Sequence, residues 1–148
     1  MTDFDSFTKV YERHRDATAR ANECNKAVLF EALASTSITS VTVTFDGEGD
    51  SGQIEDVTAF AGDEPVTLPD TLIATLAARW GSEDFSGSAV AFLEAIETLC
   101  YGYLEQEHGG WENNDGAYGK FIFDVAKRSI ELEFNGRYTE TFTDTHTF

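Results

Sequence analysis

The sequence predicts an α+β domain: an antiparallel sheet of about five strands with helices packed on one face. Three observations carry this. Apolar residues recur every three or four positions in two long stretches, the spacing drops to two in several others, and glycine- or asparagine-rich turns separate them. Alternating strands bury one face only, and that face needs a helical cover. The 148 residues, 41% of them apolar and 13% aromatic, suffice for one sizeable core, so residues 1–148 are expected to form one acidic domain.

The first stretch, Asp3 to Ala34, spaces Phe4, Phe7, Tyr11, His14, Ala17, Ala21, Cys24, Val28 and Leu33 as a helix does, with a candidate break near Ala21-Asn22. Thr2 and Asp5 fit a capping box at its start, and Ser35-Thr36-Ser37 ends it. Val41, Val43 and Phe45 then alternate with threonines, as β-branched strand residues do. Asp46 to Gly52 reads as a turn whose three glycines supply positive φ, followed by a second strand over about 53–60 and a short edge strand at Val66-Thr67-Leu68. Leu72, Ile73, Leu76 and Trp80 suggest a short helix opened by Pro69 or Asp70 and stopped by Gly81. The longer helix runs from Ser88 to His108, with Phe92, Leu93, Ile96, Leu99, Cys100, Tyr103 and Leu104 in one stripe and Gly109-Gly110 as its stop. The remainder reads as a three-stranded meander through Phe121–Val125, Ile130–Phe134 and Tyr138–Phe142, with Asn135-Gly136 as a hairpin turn. The order is helix, two strands, two helices, three strands.

Charge narrows the partners. The net charge is −17, from 27 acids against 10 lysines and arginines. Between Ala27 and Gly119, 17 acids face a single arginine, Arg79. Such a field repels nucleic acid phosphates and anionic membrane, and attracts basic protein surfaces and divalent cations. No apolar run approaches the ~18 residues of a membrane span, and the acidic start is unlike a secretory signal, so a cytoplasmic protein is expected. Cys24 and Cys100 both sit in helical settings and are expected as buried free thiols.

Catalytic and cofactor signatures are missing. His14, His108 and His146 lack a CxxC or HExxH context, no serine lies in a GxSxG elbow, and the glycine-rich loops have no P-loop lysine. No cofactor is expected. Two loops concentrate carboxylates and glycine beyond what turning the chain requires: Asp46 to Gln53, and His108 to Gly119. The first has acids at alternate positions but fails the EF-hand register, with Ser51 at the sixth place and Val57 at the twelfth. The candidate partner-binding residues are Asp46, Glu48, Asp50, Glu55, Asp56, Trp111, Glu112, Asn113, Asn114 and Asp115. The two loops are expected to lie together at one end of the sheet, with Trp111 as an aromatic anchor.

The segments Val41-Thr42-Val43-Thr44-Phe45-Asp46-Gly47, Gly49-Asp50-Ser51-Gly52-Gln53-Ile54, Ala95-Ile96-Glu97-Thr98-Leu99 and His108-Gly109-Gly110-Trp111-Glu112-Asn113-Asn114-Asp115-Gly116-Ala117-Tyr118-Gly119 resemble a family of small acidic bacterial proteins of unknown function. The resemblance runs from about residue 27 onward. It implies a bacterial or phage source, often a plasmid or other mobile element, and carries over no catalytic residue.

Two functions follow as expectations. One is an acidic protein-binding module, in its sharpest form an inhibitor that occupies a nucleic-acid-binding site as a nucleic-acid mimic. The other is a divalent-cation (Ca²⁺, Mg²⁺ or Mn²⁺) protein or hydrolase built on the two acidic loops. Charge density tests the first. A globule of this mass exposes on the order of 7,500 Å², so even spreading gives about one charge per 440 Å². Duplex DNA presents roughly one per 107 Å². Mimicry therefore requires the acids to gather on roughly a quarter of the surface.

Overall fold

A computed structural model describes residues 3–49, 51–81, 84–113 and 115–148. The expected Thr2–Asp5 cap, Asp50 and Asn114 involve positions outside the described residues or side chains.

Helix α1 (Asp3–Ala34) is continuous through Ala21-Asn22 and, at ~1.5 Å per residue, about 48 Å long. Its second half enters the main core through Leu29, Phe30 and Leu33, while Ala17 and Ala21 are buried nearer the middle of the helix. It ends where the Ser35 and Thr36 hydroxyls donate to the Ala32 and Leu33 carbonyls at 2.7 and 2.6 Å, drawing the backbone out of the helix.

Strands β1 (Ser40–Glu48) and β2 (Ser51–Ala61) form a hairpin, with β3 (Glu64–Val66) along the far edge of β2. After two further strands (β4 and β5) and a helix (α2), the sheet is completed by β6 (Ala117–Asp124) and β7 (Ser129–Gly136), in the antiparallel order β3-β2-β1-β6-β7. Burial alternates residue by residue along β1, placing Val41, Val43 and Phe45 inside and Thr42, Thr44 and Asp46 outside. Helix α2 (Phe92–His108) covers the inner face with Phe92, Ala95, Ile96, Leu99, Cys100 and Leu104. Tyr103, half-buried, joins them 6.5 Å from the Phe121 ring. Leu93 departs from the expected stripe and is exposed, since it lies one position off the buried face.

The α+β class and the five-stranded antiparallel sheet hold, while three elements differ. Residues 69–81 are not helical: β4 (Leu72–Ala78) pairs with β5 (Phe85–Ala91) in a separate two-stranded sheet. Helix and strand periods both fit so short an apolar run, and tertiary contacts decide. The buried Asn25 side chain donates to the Leu76 carbonyl and accepts from the Leu76 amide, both at 2.8 Å, holding that backbone extended against α1. Trp80 sits at this hairpin's end beside Phe7, Tyr11 and His14 of α1. Second, Ser88–Ala91 belong to β5, so α2 begins at Phe92. Third, Asn135 and Gly136 are still paired with Tyr118 and Ala117, and the chain turns earlier, over 125–128, where Arg128 takes φ 51° and the Lys127 amide donates to Asp124. Tyr138–Phe142 therefore has no strand partner among the described residues, and the 64–66 strand lies just before the expected 66–68.

Of the two thiols, Cys100 is fully buried but Cys24 is exposed, in an open groove with Ala17, Ala21, Leu76 and Phe85. Burial pushes the Cys100 thiol up, and Glu97 adds to the effect.

Leu99→Ala should cost about 2–5 kcal/mol in urea unfolding, since the side chain is removed from a packed core. A loss below 1 kcal/mol would place Leu99 outside it. A thiol reagent at neutral pH should modify Cys24 alone in the native protein and Cys100 only on unfolding; rapid modification of both, or of neither, contradicts the assignment.

Candidate functional site

The two acid- and glycine-rich loops meet at one end of the sheet, and a tryptophan joins them. Gly47 and Gly52 are paired across β1 and β2, and the Trp111 indole lies over both. A Cβ on either glycine would come within 2.5 Å of the ring. Neither has positive φ; among the described residues of the β1–β2 hairpin only Gly49 does, at 66°. The flanking glycines are thus a seat, and the turn itself needs one. Phe45 meets the indole edge-on at a centroid distance of 5.4 Å. Gly116, with φ 76°, lies so close to the Gly47 carbonyl that a Cβ would overlap it. Trp111 is only 8% exposed and packs in the core. Little of the ring is open to a partner as the aromatic anchor expected of it, because the glycine gap draws it inward.

The remaining expected residues separate into two groups. Glu48, Glu112, Asn113 and Asp115 lie at this end with Asp46. The Glu112 Cβ lies over Gly52, the Asn113 amide closes a turn onto the Gly110 carbonyl at 2.9 Å, and Asp115 accepts from the Thr139 hydroxyl at 2.7 Å. Glu55 and Asp56 lie farther along β2, at a bulge: Thr44 pairs with Asp56 and Phe45 with Ile54, leaving Glu55 as the extra residue. The Ile54 amide there donates to the Tyr101 hydroxyl at 2.8 Å. A shallow hollow of about 390 Å³ lies between Tyr101, Glu105, Trp111 and Glu112.

Asp46 is not a free carboxylate. Arg137 donates to its Oδ1 and Oδ2 at 3.0 and 3.1 Å and to the Gly47 and Ala117 carbonyls at 3.1 and 3.3 Å. The guanidinium also lies 4.6 Å over the Tyr118 ring. Its hydrogen bonds to Asp46 hold the guanidinium above its already high pKa. Sequence reasoning missed this clamp because 91 residues separate its partners.

The register also assembles a face that the loops alone do not suggest. Asp56 of β2, Asp46 and Glu48 of β1, Asp124 of β6, and Glu131 and Glu133 of β7 all point away from the helices, beside Thr42, Thr44 and Ile122. The two cations among them are engaged, Arg137 with Asp46 and Lys120 with Glu133 at 3.6 Å. Glu131 and Glu133 were legible as acids at alternate positions of a strand. Among the described residues, no three of His, Cys, Asp and Glu lie close enough together to hold a metal ion.

Gly47→Ala should destabilise the fold by about 1–3 kcal/mol through overpacking and should shift the emission of Trp111, read in a Trp80→Phe background. Gly49→Ala strains only its own backbone and should leave that emission unchanged. Equal spectral effects would contradict the seat.

No curated protein and no solved structure matches the chain. A family model matches residues 21–148, and the chain therefore belongs to a family of unknown function (DUF6878).

Proposed function

We propose that the protein is an acidic binding module that presents the open face of its five-stranded sheet to a basic protein surface, as an inhibitor that occupies a nucleic-acid-binding site. Charge density carries the reading. Four strands of about nine residues, at ~3.3 Å per residue and ~4.8 Å between strands, span roughly 570 Å². Six acids and two cations there leave a net −4, about one charge per 140 Å². Duplex DNA presents roughly one per 107 Å². Over the whole surface of 9763 Å², a net −17 gives only about one per 570 Å². On this footprint the charge density of the face approaches the DNA value. Threonines and Ile122 between the acids add contact area without opposing charge.

The setting we infer is the bacterial cytoplasm, with the mobile-element origin resting on the family resemblance alone. The divalent-cation or hydrolase reading has no assembled ligand set among the described residues, and the face favours the protein-binding one.

The test is capture from a bacterial lysate by the immobilised chain, compared with Asp56→Lys/Glu131→Lys. We expect the wild-type chain to retain a basic nucleic-acid-binding protein that high salt or added duplex DNA releases, and the charge-reversed chain to lose it without a change in melting temperature. Retention by both chains would refute the reading. So would a Ca²⁺, Mg²⁺ or Mn²⁺ ion that raises the melting temperature while no basic partner is captured.

A further inference from the structure

Residues 138–148 carry the sequence pattern of a strand but take up no strand structure in the isolated chain, where Thr139 donates to Asp115. Threonines occupy positions 139, 141, 143, 145 and 147, while Tyr138, Glu140, Phe142, Asp144, His146 and Phe148 fill the alternate places. Eleven residues of unbroken two-residue alternation, rich in β-branched and aromatic side chains, describe a strand with one aromatic and one hydroxyl face. In the isolated chain the segment is nevertheless unpaired and exposed, with Tyr138 81%, Phe142 89% and Phe148 fully accessible.

An open edge of matching character lies on the same molecule. Strand β7 ends the sheet, and its outer backbone groups are unpaired by any strand among the described residues. Its inward residues Ile130, Leu132 and Phe134 are only partly buried. Ile130 and Leu132, with Tyr103 and Phe121, border a groove of about 210 Å³, rimmed by Glu23, Lys26 and Glu107. The Tyr103 hydroxyl is buried there without a hydrogen-bond partner.

A chain cannot readily close its own edge. Asn135 and Gly136 are held in register by Tyr118 and Ala117, and Arg137 binds Asp46, Gly47 and Ala117, which sends the following residues toward β1 and away from the free side of β7. We propose that residues 138–148 add as a sixth strand to the β7 edge of a second copy of this chain, in a reciprocal exchange. Apolar continuity selects the face. With threonines beside Glu131 and Glu133, Tyr138, Phe142 and Phe148 continue the apolar row of Ile130, Leu132 and Phe134. Glu140 and Asp144 then fall on the side of the groove rim, where Lys26 lies with Glu23 and Glu107. An edge of eight residues seats two of the three aromatics, so four per pair of chains, at ~150–250 Å² each, bury about 600–1,000 Å² before the backbone is counted. With the two added strands' backbone this approaches the ~1,200–2,000 Å² of stable interfaces. The inference stands apart from the acidic-face reading, because the edge and the face are different surfaces.

Light scattering and sedimentation of the full chain, of Phe142→Ser/Phe148→Ser, and of a chain ending at Arg137 test it. The full chain should be a dimer, and the serine variant should dimerise at least about thirtyfold more weakly, the loss expected for one interface anchor. Both altered chains should keep the circular dichroism of the folded protein. Location is read in a Cys24→Ser background by mixing Glu131→Cys and Thr143→Cys chains with a short bis-maleimide. Cross-linking of the two different chains supports the proposal. A monomeric full chain, dimers that survive removal of 138–148, or preferential cross-linking of Thr143→Cys to Arg20→Cys, in the separate α1 groove lined by Arg13, Arg20 and Phe85, would overturn it.

Discussion

One packing constraint organises the acidic end of this protein: an indole placed where a sheet has no side chains. Gly47 and Gly52 face each other on the inner side of β1 and β2, and Trp111 fills the space their missing Cβ atoms leave. The residues around Trp111 are thereby fixed. Glu112 is drawn over Gly52, and Gly116 presses onto Gly47, so the connection from α2 to β6 lies against the β1–β2 hairpin. Acids more than 60 positions apart in sequence become neighbours through a contact that involves no charge.

A cluster of carboxylates at one end repels itself, and the structure offsets this locally. Arg137 binds both oxygens of Asp46 and two backbone carbonyls while lying over Tyr118, and Thr139 donates to Asp115. These contacts also steer the chain beyond β7. Asp56, Asp124 and Glu131 lie farther out, across the open face of the sheet, with no ion pair among the described residues. The same geometry therefore sets the shape of the acidic end and the direction in which residues 138–148 leave it.

Much of this was legible in the sequence. The long helices, the β1–β2 and β6–β7 pairs and the α2 stripe follow from local periodicity, which is strong where one face is buried. The meeting of the two loops was also expected from their positions beside strands of one sheet. What local patterns could not reveal is tertiary in origin. Leu72 to Trp80 has a helix-compatible spacing and becomes a strand because Asn25, 51 positions away, binds the Leu76 backbone. Gly47 and Gly52 resemble turn glycines, and only the incoming ring shows that their role is to leave space. Trp111 resembles an exposed anchor for the same reason. Cys24 follows the apolar period of α1 but lies in an open groove beside the β4–β5 hairpin.

The central claim is that Gly47, Gly52 and Trp111 act as one unit, and a double-mutant cycle measures this directly. Gly52→Ala is made in the natural chain and in Trp111→Leu, and the unfolding free energies are compared. If the glycine exists to seat the indole, alanine should cost about 1–3 kcal/mol in the presence of Trp111 and clearly less without it, where only the Glu112 Cβ still crowds the added carbon, a coupling of the size seen for residues in contact. An equal cost in both backgrounds would show that Gly52 serves its own backbone, and the account of how the acidic end is assembled would be wrong.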